Sequence, residues 1–204
     1  NNGEIISMVS YPDFDLNKRE KIVDLNFINR ATKGVYELGS VFKTFTVAAG
    51  LEEGLINTDT EFLNLEKRLQ CGKSSISEYD NKIPSDLTVE QILIRSGNIG
   101  SVRIGQKLEI IKLKAFLEKI GILSKINFDI EEVGEPIPFK WGKCKLATVS
   151  FGHGITTTPL QLAKAYAIIS NGGFAVEPSL IKSELKNNQQ KKRIIKAGIS
   201  EKIN

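Results

Sequence analysis

Tyr36-Glu37-Leu38-Gly39-Ser40-Val41-Phe42-Lys43 opens what reads as a buried helix. A helix that starts at Gly39 or Ser40 places Ser40 and Lys43 on one face, with Cβ atoms about 5–6 Å apart. A hydroxyl and an amine at that spacing can exchange a proton. Serine is a weak nucleophile until a base takes its proton, and lysine is that base only when burial or neighbouring charge lowers its pKa. The residues that follow supply the burial: Val41, Phe42, Phe45, Val47, Ala48, Ala49 and Leu51 make a helix that is apolar nearly all round, ending near Gly54.

The same S-x-x-K spacing recurs at Ser179 to Lys182 and at Ser183 to Lys186. Context separates them. Gly39 immediately before Ser40 permits close backbone approach, whereas Ser179 follows Pro178 in a short extended stretch and Ser183 leads into a polar turn. Both of these are expected at the solvated surface.

Working outward, Thr88 and Gln91 form a capping box for a short helix carrying Val89, Ile92, Leu93 and Ile94, which stops at Ser96-Gly97-Asn98. A second helix is expected from about Ile99 and another over residues 109–120. Ser96 to Asn98 is the sole S-x-N of the chain. At a junction between helices both of its polar side chains are free to point one way. Thr158-Pro159-Leu160-Gln161 is a further capping signal, with proline at the first helical position, and that helix should end at Asn171-Gly172-Gly173. Asn2-Gly3 is a hairpin-turn signal, so residues 4–10 read as a strand whose partner would precede residue 1. Residues 11–30 read as a polar surface loop and residues 174–182 as extended. No repeat or low-complexity tract occurs.

At 204 residues, 41% hydrophobic and 25% charged, the chain has the composition of a globular domain large enough for a real core. It shows no disorder signature and no apolar run of transmembrane length, and its first residues lack the regions of a signal peptide. A net charge of +4 arises from lysines spread along the chain, which fits general lysine richness better than a binding patch, and no nucleic-acid partner is expected. Cys71 and Cys144 have no companion pattern for a metal, and their thiol state is open. His153 is the sole histidine; between Gly152 and Gly154, and without a G-x-S-x-G elbow to serve, it reads as a structural loop residue. No cofactor is called for.

Ser40 with Lys43 and Ser96 with Asn98, in this order, resemble the penicillin-binding protein transpeptidases, whose signatures are S-x-x-K, S-x-N and K-T-G. Residues 29–55, 87–102 and 151–173 look like the class B members, and among these most like the division-specific, septal peptidoglycan synthases. The resemblance implies an α/β fold of the α+β type, that of penicillin-binding proteins and serine β-lactamases, with helices around an antiparallel sheet. It implies acyl transfer from the D-Ala-D-Ala end of a peptidoglycan stem peptide through an acyl-Ser40 intermediate. Lys43 would be the general base, Ser96 would relay a proton to the leaving amine, and Asn98 would hold the substrate amide and orient Lys43. β-Lactams would acylate Ser40 and remain there. The resemblance further implies membrane proteins of the division complex as partners, and an inner-membrane protein with its catalytic domain in the periplasm.

No K-T-G string is present; the nearest is Lys196-Ala197-Gly198, followed by residues that read helical. Residues 1–204 are therefore expected to form a single partial transpeptidase domain, cut at both ends and with its sheet incomplete. Alone, it would be weakly active or inactive, because the missing strand carries an oxyanion donor whose loss costs roughly 10²–10³ in rate. Two alternatives differ in class. A serine β-lactamase needs a deacylating glutamate, and Glu61-Phe62-Leu63-Asn64 precedes Ser96, the wrong order for the class A arrangement. A non-catalytic scaffold fragment would not need Ser40, Lys43, Ser96 and Asn98 together.

Overall fold

The computed structural model describes residues 2–15, 17–18, 27–182 and 192–203. The chain turns into its central helix at Gly39, whose φ of +62° is open to glycine at little cost. One 3-10 turn, Gly39–Phe42, then leads directly into α1, Lys43–Glu52. Every residue of α1 except Thr44 is buried, as its unbroken apolar composition requires. Phe45, Ala48 and Ala49 are fully shut off from water, and burying a side chain the size of Phe45 contributes about 1.5–3 kcal/mol. The polar residues of α1 are partnered. The Thr46 hydroxyl donates to the Ser150 carbonyl at 2.8 Å, and Glu52 accepts from the Lys119 ammonium at 3.1 Å and the Lys196 N–H at 2.9 Å.

Around this axis stand α2 (Val89–Ile94), α3 (Asn98–Lys119), α4 (Lys143–Val149), α5 (Pro159–Ser170) and α6 (Ala197–Ile203). The capping boxes at Thr88 and Thr158 form as the sequence predicts, each threonine accepting the N–H three residues on while the glutamine reaches back to the cap. The two helices expected around Ile99 and over 109–120 abut within α3, where Glu109 leaves helical geometry with φ 59° and ψ 174°. Ile92, Ile99, Ile104, Leu108 and Ile120 fill the space between these helices and α1.

The strands are short. β1 (Glu61–Phe62) pairs antiparallel with β4 (Leu87–Thr88), and β2 (Arg68–Cys71) pairs antiparallel with β3 (Ser74–Ser77) as a hairpin. Among the described residues the antiparallel sheet expected from sequence is thus represented by two two-stranded ribbons. Residues 4–10 are not a strand. Glu4 makes a single bridge to Ser179, while Ile6 and Val9 stand open to solvent; an apolar segment makes a strand only where a neighbouring edge accepts it. Residues 174–182 likewise hold only isolated bridges. Most of the loop expected before residue 27 lies outside the described residues, as does the Ser183 to Lys186 pair.

Cys71 and Cys144 form a disulfide, Cα to Cα 5.4 Å, tying the tip of the β2–β3 hairpin to α4 across 73 residues. In the chain-entropy picture closing a loop of that length is worth roughly 4 kcal/mol. No helix among the described residues is long and apolar enough to cross a membrane.

Candidate active site

Ser40 is exposed on the 3-10 turn, and Lys43, one turn further along, is 1% exposed. The Lys43 ammonium donates to Ser40 Oγ at 3.1 Å, to Ser96 Oγ at 2.8 Å and to the Ser96 carbonyl at 2.5 Å. A single amine therefore bridges two hydroxyls that are 56 residues apart in the chain. Burial lowers its pKa to about 8, against the negative charge of Glu78, which acts in the raising direction. A lysine so placed has a neutral fraction near physiological pH that an exposed lysine lacks.

Ser96 reaches this position through strain. It ends α2 at a corner where its own N–H bonds the Leu93 carbonyl and the Gly97 N–H bonds the Ile92 carbonyl, with Ser96 at φ 54°. Glycine is the usual occupant of such a helix-ending position. We expect Ser96→Gly to be more stable than Ser96→Ala by about 1 kcal/mol, since both lose the hydroxyl but only glycine escapes the left-handed penalty. Urea unfolding of the two variants checks this, and equal stabilities would contradict it.

Among the hydrogen bonds described, Asn98 makes none to Lys43, which the resemblance has it orient. Its carboxamide donates to the Ser77 carbonyl at 2.9 Å, and the ammonium is held by the Ser96 carbonyl in its place. Asn98 faces a cavity of about 550 Å³ whose walls include Ser77, Lys145, His153 and the Cys71–Cys144 disulfide. Its wall residues do not include Ser40, Lys43 or Ser96.

Three supports of the site lay beyond sequence reasoning. Gly152, at φ +85°, is pressed so closely on the loop before Ser40 that a Cβ there would lie 1.9 Å from the Gly39 carbonyl oxygen. From α5, the Tyr166 hydroxyl donates to the Val41 carbonyl at 2.8 Å and lies 3.0 Å from the Thr44 hydroxyl, bracing the 3-10 turn. Glu78 accepts the N–H groups of Asn98 and Ile99.

The remaining sequence candidates fall elsewhere. Ser179 is buried, not solvated, because its hydroxyl donates to Asp129 at 2.8 Å; it has no contact with Lys182 among the hydrogen bonds described. Lys196-Ala197-Gly198 opens helix α6, and Lys196 is tied to Glu52 at the far end of α1, about 13 Å along the helix from Lys43. Glu61 lies exposed on the β1–β4 ribbon. His153 sits in its glycine-flanked turn, stacked on Phe151 and 3.0 Å from the Glu37 carboxylate.

A family model described as the penicillin binding protein transpeptidase domain matches residues 1–204. The chain belongs to this family. Among curated relatives, it is 34% identical over 172 residues to the probable peptidoglycan D,D-transpeptidase FtsI of Caulobacter vibrioides, covering 84% of this chain and 29% of that protein. It is 31% identical over 186 residues to stage V sporulation protein D of Bacillus subtilis, covering 89% of this chain and 29% of the relative. With the FtsI of Escherichia coli K12 the identity is 27% over 180 residues, 85% of this chain and 29% of the relative. The chain thus spans less than a third of the length of these relatives. The fold matches the transpeptidase domain of Burkholderia pseudomallei penicillin-binding protein 3 with a TM-score of 0.84 at 21% identity, covering 99% of this chain and 57% of that one. The family's helix-dominated α/β architecture is therefore the architecture of this chain.

Proposed function

We propose that the whole protein is a peptidoglycan D,D-transpeptidase acting in cell division, and that this chain carries its nucleophile. The observation that carries the reading is the Lys43 amine held between Ser40 Oγ and Ser96 Oγ. In its neutral form Lys43 takes the Ser40 proton as Oγ attacks the penultimate D-alanine carbonyl of a stem peptide. Through Ser96 a proton reaches the departing amine, D-alanine leaves, and an ester joins Ser40 to the shortened peptide. The amine of a second stem peptide then attacks that ester, loses a proton to the same pair, and frees Ser40 with a new amide cross-link. Asn98, beside the cavity, holds the substrate amide.

Hydrolysis is the poorer reading, because Glu61, the sequence candidate for a deacylating base, sits exposed on the β1–β4 ribbon. β-Lactams, as mimics of the dipeptide, would acylate Ser40. Division-complex membrane proteins as partners, and a membrane anchor with the catalytic domain in the periplasm, belong to the same proposal and rest on the resemblance of the Ser40–Lys43 and Ser96–Asn98 motifs to the septal synthases. Incubating the whole protein with a D-Ala-D-Ala donor peptide and an amine acceptor should yield cross-linked product and D-alanine in equal amounts. Release of D-alanine with the donor merely hydrolysed would overturn the transpeptidase reading.

A further inference from the structure

α3 begins at Asn98 with Gly97 as its capping residue, which has no side chain to satisfy the first-turn N–H groups. Those groups are met from outside the helix. The Glu78 carboxylate, just past β3, accepts the Asn98 N–H at 2.6 Å through Oε2 and the Ile99 N–H at 2.9 Å through Oε1. The neighbouring Ser77 carbonyl takes the Asn98 carboxamide. One short segment thus grips both the backbone and the side chain of Asn98, two residues from the strained Ser96 that holds Lys43. Charge-assisted bonds to a carboxylate are about twice as strong as neutral ones.

We propose that Glu78 is a positioning residue for the acylation: its carboxylate fixes the first turn of α3, and with it the Ser96–Asn98 corner, against the Lys43 amine and the cavity beside Asn98. The inference rests on the transpeptidase reading of Ser40, Lys43 and Ser96. Glu78 also acts on Lys43 by charge, opposing the effect of burial. Several other charged groups near α1 are engaged elsewhere. Glu52, Lys119 and Lys196 gather at its far end, and Lys145 of α4 donates to the Gly154 carbonyl. Ser40 and Ser96 are the uncharged groups on the amine.

The two effects separate in a variant series read by β-lactam acylation of the whole protein across pH. Glu78→Ala and Glu78→Gln should each lower the plateau rate roughly a hundred-fold, the scale of a small misplacement of a reacting group. Glu78→Gln should also move the acid-side midpoint to lower pH, while Glu78→Asp, which keeps the charge, holds the midpoint near wild type. A folded Glu78→Ala protein acylating at the wild-type plateau, or a midpoint unmoved in Glu78→Gln, would overturn the proposal. Two readouts need no acylation. NMR titration of labelled Lys43 should show its midpoint falling in Glu78→Gln, and hydrogen exchange at the Asn98 and Ile99 amides should accelerate in Glu78→Ala. If wild type is not acylated, the transpeptidase reading falls on its own; unchanged titration and exchange overturn the Glu78 contacts.

Discussion

Lys43→Met is expected to slow acylation of Ser40 by a β-lactam by roughly 10²–10⁴-fold, the contribution of a positioned general base. Methionine reproduces the unbranched stem of lysine without its terminal amine, so the buried helix keeps its packing while the proton acceptor is lost. The wild-type rate should rise with pH through a midpoint near 8, the value to which burial lowers Lys43. The same shift has a signature in stability. With a folded pKa of about 8 against 10.5 for the free side chain, the unfolded chain binds more protons between those values, so stability rises with pH across that window. Relative to Lys43→Met, the wild type should gain about 3 kcal/mol on going from below pH 8 to above 10.5. Other lysines titrate alike in both proteins and cancel in the difference. Parallel urea unfolding curves with no pH-dependent gap between the two proteins would show that Lys43 is not buried as a perturbed amine.

Local grammar was the legible part of this molecule. The Ser40 to Lys43 spacing, the apolar run of α1 and the capping boxes at Thr88 and Thr158 all lie within a few residues of what they organise, so composition and spacing sufficed. The break near Glu109 was readable for the same reason. What escaped was tertiary. Glu78 meets Asn98 across 20 residues, Cys71 meets Cys144 across 73, and Gly152 meets Gly39 from a different part of the chain. No periodicity marks such contacts in advance. A glycine between Phe151 and His153 announced a turn, but not that the turn would press on the carbonyl before the nucleophile.

Two misreadings have physical causes of the same kind. Residues 4–10 read as a strand because they follow the Asn2-Gly3 turn signal, yet a turn signal supplies no partner edge, and Ile6 and Val9 stand open to solvent. Ser179, after Pro178 in a short extended stretch, reads as solvated, whereas Asp129 accepts its hydroxyl and allows it to be buried. For Asn98, a carboxamide two residues from Ser96 can turn toward either Lys43 or the hairpin. The Ser77 carbonyl decides that choice.

Ser40→Ala carries the largest expected effect of all: complete loss of covalent labelling. The reason is chemical, since Lys43 and Ser96 only move protons, and Ser40 is the exposed hydroxyl bonded to the amine. Ser40 is an exposed turn residue whose side chain fills no core space, so the alanine variant should fold normally and serve as a clean control by circular dichroism. The most direct measurement is mass spectrometry of the whole protein after incubation with a β-lactam, wild type beside Ser40→Ala. The expected result is a gain of one intact β-lactam mass, because ring opening releases no leaving group, mapped to Ser40 and absent from the variant. A folded wild-type protein that stays unmodified, or an adduct that forms equally in Ser40→Ala, would contradict the assignment of Ser40 as the nucleophile.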